Sequence, residues 1–339
     1  MLQEAAVAVI SSLVAMGSVM ALEPSWIAVA SSRGLVGSDM NKPDKRKVAE
    51  AGGLWVIVGA SLGLLVMEAI NTFVNGSLYN PVPLFSMLSL LMLTGLIGLL
   101  DDILGWKKGI PPAVRVLSTI PAALPLMIAK YNAYIVHVPI LHVLYLGLLF
   151  PLVVVPIGVM GASNAYNMIA GYNGLEAGMG VVMLAFTAAF SIVKGLWLTA
   201  YLSLIMMAAL LGFLFYNWYP ARVFPGNTMT YAVGAYYAGI VVLGDIAAFG
   251  LFMYMLYYAE LLLFIRGLMH GVYKENFGRV APDGSLEPPY DRSYSLTHLM
   301  IRLQRRLRGR ATERGVTVGL MALQAVVGAA ALLIFLRLS

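Results

Sequence analysis

The sequence predicts an all-α polytopic membrane protein, with about ten transmembrane helices in one membrane-embedded domain over residues 1–339, and three observations carry that expectation. Hydrophobic residues make up 60% of the chain and charged residues 11%, against roughly 25% charged in an ordinary soluble domain. A water-soluble fold could not hide that much apolar surface. The apolar residues gather in runs close to the ~20 residues that a bilayer-crossing helix needs, and the basic residues fall in alternate loops.

The runs lie at about 5 to 22, 52 to 72, 84 to 100, 112 to 129, 140 to 160, 178 to 193, 197 to 216, 229 to 243, 245 to 265 and 315 to 336. Glu4 rather than a basic stretch precedes the first, and no clear cleavage site follows it, so a retained helix is expected instead of a removed signal peptide. Only Gly244 and Asp245 separate the eighth run from the ninth. The absence of cysteine excludes disulfides and thiolate metal sites.

Orientation follows from Lys and Arg, which concentrate in cytoplasmic loops. The loops after runs 1, 3, 7 and 9 carry Arg33, Lys42, Lys45, Arg46, Lys47, Lys107, Lys108, Arg222 and the basic residues from Arg266 to Arg314, with Arg115 just inside run 4. The other side holds Lys130, Lys194 and Arg337. Both termini are therefore expected on the non-cytoplasmic side. The net charge of +6 belongs to this asymmetry and is no argument for nucleic acid. Within the long loop 266–314, Arg302, Arg305, Arg306, Arg308 and Arg310 lie beside Leu296, Leu299, Leu303 and Leu307, which recur at helical spacing. That pattern predicts an interfacial helix on anionic headgroups of the lipid bilayer.

The polar stretches that carry chemistry lie on the expected cytoplasmic side. Run 3 ends in Asp101 and Asp102, where a helix C-terminus disfavours acids by roughly 0.3–1 kcal/mol each. Either the pair is simply solvated, or a divalent cation, a basic side chain or a protonated substrate group compensates it. After run 5 come Asn164, Asn167 and Asn173 with Gly171 and Gly174. Amides there can cap a helix or serve as oxygen ligands for a hard cation, and a continuing helix would put Asn164 and Asn167 on one face. The turn Phe224-Pro225-Gly226-Asn227 offers an aromatic ring that either anchors at the interface, as Trp218 and Tyr219 do, or stacks on a base. A transporter would need polar or broken helices near mid-membrane, whereas these clusters gather at one surface.

Taken together, these segments resemble the polyprenyl-phosphate N-acetylhexosamine 1-phosphate transferases, most closely the branch that makes GlcNAc-diphospho-dolichol. The most specific pieces are Asn164 to Gly178 and Tyr216 to Gly226, with weaker support from Asp39-Met40-Asn41-Lys42, Leu100-Asp101-Asp102, Leu124-Pro125-Leu126 and Gly284 to Glu287. The resemblance implies transfer of GlcNAc 1-phosphate from UDP-GlcNAc to dolichyl or another polyprenyl phosphate, with release of UMP. The alternative is the same transfer from another UDP-N-acetylhexosamine. The membrane would be the cell membrane of an archaeal host or the endoplasmic reticulum of a eukaryotic one.

The resemblance also implies roles. Asp101 and Asp102 would be the acidic pair beside a Mg2+ or Mn2+ ion and the acceptor phosphate, with Asn167 a metal ligand. Ser38, Asp39, Met40, Glu50, Asn173 and Phe224 would hold the uridine end. The family's phosphate-binding lysine falls on Arg115, with Lys107 and Lys108 as substitutes and Asn164 beside the lipid phosphate. Two departures stand out. Asn227 occupies the place of a second metal-binding aspartate, which leaves the expected metal site one charge short. The family's Arg-His-Arg element is missing, and Lys274 and Arg279 are the nearest basic residues.

Overall fold

The computed structural model describes residues 2–76, 80–108, 111–130, 135–138, 142–273 and 275–337; within these, the side chains at 2–5, 105–108, 112, 115, 135–138 and 142–143 are not among those described. The chain opens with α1 (Leu2–Ser32), which continues through Pro24 well past the expected end at 22. A short antiparallel pair follows, β1 (Val36–Ser38) and β2 (Lys47–Ala49), with Val36 opposite Ala49. Then come α2 (Gly53–Phe73) and α3 (Val82–Lys108).

The fourth expected run is broken. It forms α4 (Pro112–Ser118), a 3-10 turn (Pro121–Ala123) and α5 (Leu124–Ala129), since proline removes a donor and clashes with the preceding turn. The fifth run starts as strand: β3 (Ile135–Val138) pairs antiparallel with β4 (His142–Tyr145), and only a π-turn (Phe150–Val154) and α6 (Val155–Tyr166) are helical. Next are α7 (Leu175–Val193), α8 (Trp197–Asn217) and α9 (Gly226–Leu243). The ninth run is α10 (Ala247–Met253) and α11 (Met255–Met269), bent by 53° at Tyr254. A two-residue pair, β5 (Arg279–Val280) with β6 (Leu286–Glu287), precedes α12 (Leu296–Arg308) and α13 (Glu313–Arg337).

Among the described residues, six helices are long and apolar enough to cross a membrane, within α1, α2, α3, α7, α8 and α13, and the bent α10–α11 pair makes up to seven. The protein is therefore a mostly helical integral membrane protein. Thr94, Thr187 and Ser203 in the spans, and Ser163 in α6, each donate their hydroxyl to the carbonyl four residues back, at 2.7–2.8 Å, as groups that lipid cannot hydrogen-bond must.

At the centre, α9 packs against α3 and α6, while α8 packs against α1, α2 and α7, and α7 carries α13. The end of α3 and the start of α9 approach closely at Gly98, where a Cβ would overlap the backbone of Asn227 and Thr228. Gly98→Leu should therefore force α3 and α9 apart, lowering stability by about 1–3 kcal/mol as overpacking does. Thermal unfolding of the purified protein in detergent checks this.

Candidate active site

The two aspartates do not sit at a bare helix terminus. α3 runs on to Lys108, and its acids meet the first turn of a second helix. Asp102 accepts the backbone N–H groups of Asn227 (2.7 Å) and Thr228 (3.0 Å) and the Thr228 hydroxyl (2.6 Å). These are the unpaired donors of the first turn of α9, where the helix dipole favours an anion. Gly226 makes the contact possible. Its φ is +67°, and a Cβ there would overlap the Asp102 carboxylate.

Asp101 is 2% exposed and takes the Asn227 side-chain N–H at 2.8 Å, with the Tyr231 hydroxyl at 3.5 Å. Asn167 caps the end of α6, and its Oδ1 accepts the Thr230 hydroxyl at 2.9 Å. One turn of α9 thus gathers Asp101, Asp102, Asn167 and Asn227. Asn164 donates to the Met160 carbonyl (2.8 Å) and towards Thr119 (3.4 Å), and Asn167 follows it as the helical C-cap of α6. Thr119 follows α4, the helix that carries Arg115. The side chains of Arg115, Lys107 and Lys108 lie outside the described residues, as does Lys274.

The turn after α8 is stitched to the first loop. Phe224 donates its N–H to Ala49 (2.7 Å), Gly52 donates to Phe224 (3.0 Å) and Gly53 to Pro225 (3.1 Å), while Val223 bridges Ala49 in parallel. The pairing brings Phe224 and the Glu50 carboxylate together over Gly37. Burial, joined by the neighbouring Asp102 and Glu176 carboxylates, pushes Glu50 up to about 7. Met40 is half-buried in the β1–β2 loop, and Ser38 accepts from Lys47 at 2.7 Å. Arg279 is exposed on β5, opposite Glu287.

Asp39 and Asn173 belong to a buried network. Lys42, 4% exposed, donates to Asp39 (2.7 Å), to Asn173 (3.0 Å) and to Glu313 at the head of α13. Glu313 accepts the Asn173 backbone N–H (2.9 Å), and Asn173 Oδ1 accepts the Ala221 N–H (2.8 Å). Two further amides clasp the loop between α6 and α7. Asn41 donates to Gly171 O (2.9 Å), and Asn276 donates to Met168 O and Ala170 O (both 3.0 Å). Among the described residues no group of three or more His, Asp and Glu forms a metal cluster; two carboxylates and two amides meet at the first turn of α9.

Comparison with known proteins gives the family. Residues 84–245, which hold the acid pair, both asparagines and the whole of α9, match the model of glycosyl transferase family 4. A Sulfolobus acidocaldarius protein with the provisional name UDP-N-acetylglucosamine–dolichyl-phosphate N-acetylglucosaminephosphotransferase is 32% identical over 83% of this chain and 84% of its own length. The chain belongs to glycosyl transferase family 4. It is a membrane-embedded glycosyl-1-phosphate transferase. A Dictyostelium discoideum UDP-N-acetylglucosamine–dolichyl-phosphate N-acetylglucosaminephosphotransferase is 27% identical over 65% of the chain and 62% of its own length. A Clostridium botulinum phospho-N-acetylmuramoyl-pentapeptide-transferase is 30% identical over 62% and 64%.

Sequence reasoning about this family 4 transferase missed Lys42, Glu313, Asn41, Asn276, Thr228 and Thr230. The threonines had no cap signal, since they lie inside α9 rather than just before it. Glu313 had no signal either, being one acid among the arginines from 302 to 314.

Glu50 gives a pH test. A carboxyl raised above its unfolded value stabilises the fold fully below the ordinary carboxylate range, and that contribution is lost as pH rises through the folded value. The wild type should therefore lose thermal stability relative to Glu50→Gln between about pH 5 and about pH 8. Parallel curves for the two proteins across that window would refute a raised Glu50.

Proposed function

We propose that this transferase moves GlcNAc 1-phosphate from UDP-GlcNAc to dolichyl or another polyprenyl phosphate and releases UMP. The observation that carries this reading is the convergence of Asp101, Asp102, Asn167 and Asn227 on the first turn of α9. The printed names of the archaeal and Dictyostelium relatives, which specify those two substrates for those proteins, support it.

In the proposed reaction an oxygen of the lipid phosphate attacks the sugar-linked phosphorus. The bond from that phosphorus to the bridging oxygen breaks, and UMP leaves with the electron pair. Both partners are anions, so catalysis is positioning and charge compensation. Carboxylate and amide oxygens suit a hard cation such as Mg2+, and Asp101, Asp102, Asn167 and Asn227 are the residues that would hold it. When bound, the ion would screen the phosphates and the developing charge on UMP. Arg115, at the side of α6 where Asn164 reaches towards Thr119, is assigned to phosphate. Phe224 is assigned to the uracil face, with Glu50 beside it and Met40 and Ser38 on the adjoining loop. Asp39 and Asn173 act by position, holding the first loop against the head of α13.

Asp102→Asn and Asn167→Ala should each lower turnover at least tenfold, about 1.4 kcal/mol of barrier; Asn167→Ala should unfold close to wild type, whereas Asp102→Asn, which turns an NH2 group onto the donors of α9, should also unfold at a lower temperature. Asn227→Asp discriminates further. It replaces the N–H donated to Asp101 by a second carboxylate, so the variant should be less stable than wild type in chelator and should need less Mg2+ for half-maximal rate. Unchanged metal dependence in Asn227→Asp, together with full activity in Asn167→Ala, would remove the metal from this site.

The reading includes ten membrane segments with both termini outside and the site facing the cytoplasm. Single cysteines placed at Leu2 and Leu338 of this cysteine-free chain should react with an impermeant maleimide only from the non-cytoplasmic face of sealed vesicles. Labelling of either from the cytoplasmic face would overturn the topology.

A further inference from the structure

Helix α12 presents three faces. Leu296, Thr297, Ile301 and Gln304 are buried against the protein. Leu299, Leu303 and Leu307, one turn apart, are 44%, 48% and 72% exposed in an unbroken row. Arg306 beside the row, Arg308 at the last residue of the helix and Arg310 just beyond it are exposed. Three exposed leucines with three exposed arginines at the open end of the helix are not needed to build the core.

The position of α12 says what covers that surface. Gln304 reaches Gly315 and Met300 reaches Gly319, so α12 lies along the first turns of α13. The span α13 has 25 residues, about 37 Å at 1.5 Å per residue, against a hydrocarbon core of about 30 Å. Its first turn or two therefore lie at the depth of the headgroups, on the end of the protein that carries Glu313 and the candidate site. Apolar side chains on one flank with arginines beside them at that depth fit a surface of anionic headgroups over acyl chains. The surface does not suit a second copy of α12, which would set arginine against arginine.

The buried face of α12 is tied to the loop between α6 and α7. Thr297 donates to Asn276 O (2.8 Å), and His298 Nε2 meets Glu275 O (2.9 Å). Asn276 in turn donates to Met168 O and Ala170 O, between Asn167 and Asn173. At its start α12 is pinned to α11, where Glu260 accepts Leu296 N (2.7 Å) and the Ser295 hydroxyl (3.1 Å).

We propose that α12 docks on anionic lipid headgroups through Leu299, Leu303, Leu307 and Arg306, Arg308 and Arg310, and that this contact braces the 168–170 loop. The bilayer acts as a structural ligand: headgroups hold α12, α12 holds Asn276, and Asn276 holds the carbonyls beside Asn167.

The test uses the full chain with one cysteine, at Leu303 or, as an aqueous reference, at Asp283 on the exposed β5–β6 turn, each labelled with a fluorophore. Vesicles contain doxyl-labelled phosphatidylcholine, with or without about one-third phosphatidylglycerol. Docking predicts strong quenching at position 303 and little at 283. Arg306→Gln, Arg308→Gln and Arg310→Gln combined, or omission of phosphatidylglycerol, should lower quenching at 303 about twofold or more. Equal quenching at the two positions, indifference to both manipulations, or a 303–303 cross-link between copies overturns the docking. For the brace, amide exchange in the peptide 166–173 should slow about threefold or more when phosphatidylglycerol is present, and unchanged exchange overturns it. Neither measurement uses the reaction, so failure here is separable from failure of the substrate reading.

Discussion

The rest of the structure is referenced to the seating of one carboxylate, Asp102, on the first turn of α9. A carboxylate taken from water near a membrane must be hydrogen-bonded or it will not stay ionised. Asp102 receives three donors from Asn227 and Thr228, each a charge-assisted bond of roughly 1.5–3 kcal/mol before desolvation is deducted. The geometry tolerates little else. Gly98 lets the two helices touch, and Gly226 lets the acid reach the helix end. Once α9 is set against α3, its Thr230 engages Asn167, its Asn227 engages Asp101, and its leading turn carries Phe224 to β2 and Glu50.

This anchor was only half legible in the sequence. Asp101, Asp102, Asn167 and Asn227 stand out as polar residues at the edges of apolar runs, because so few such residues exist in the chain. Their contacts do not, since residues 63 to 126 apart meet only after the bundle forms. The apolar runs themselves were legible because span length follows from bilayer thickness. Where local chemistry competes with that length, the reading failed. Pro121 and Pro125 break one run into three short pieces, and strand pairing of Ile135 with Tyr145 claims the start of another. At Glu23 and Pro24 the opposite happened. A charge and a proline looked like an end, yet Glu23 is fully buried and α1 continues to Ser32.

The Lys42 cluster shows a different kind of illegibility. One buried ammonium faces two carboxylates and an amide drawn from the first loop, the α6–α7 loop and the head of α13, up to 271 residues apart. Buried ion networks of this sort seldom add much net stability, because desolvation offsets the attraction. Removing one partner is costly, however, so they specify an arrangement more than they strengthen it. Here the arrangement joins the first loop, the α6–α7 loop and the head of α13 at the end of the bundle that holds the acid pair. Asp39 and Asn173, which the resemblance assigns to the UDP-sugar, take part in that joint.

The same logic bears on Asn227. In the structure its amide N–H lies on Asp101, so the acid pair is held by neutral donors from a single helix turn. An aspartate there would offer no N–H and would set a third carboxylate against the first two. On the proposed reading the asparagine therefore keeps the site assembled between catalytic cycles without relying on a cation. The consequence falls on binding: one fewer negative charge attracts Mg2+, so the substrates' own phosphates must supply more of the coordination. Metal and nucleotide would then enter best together, which couples assembly of the charged centre to the arrival of the donor that needs it.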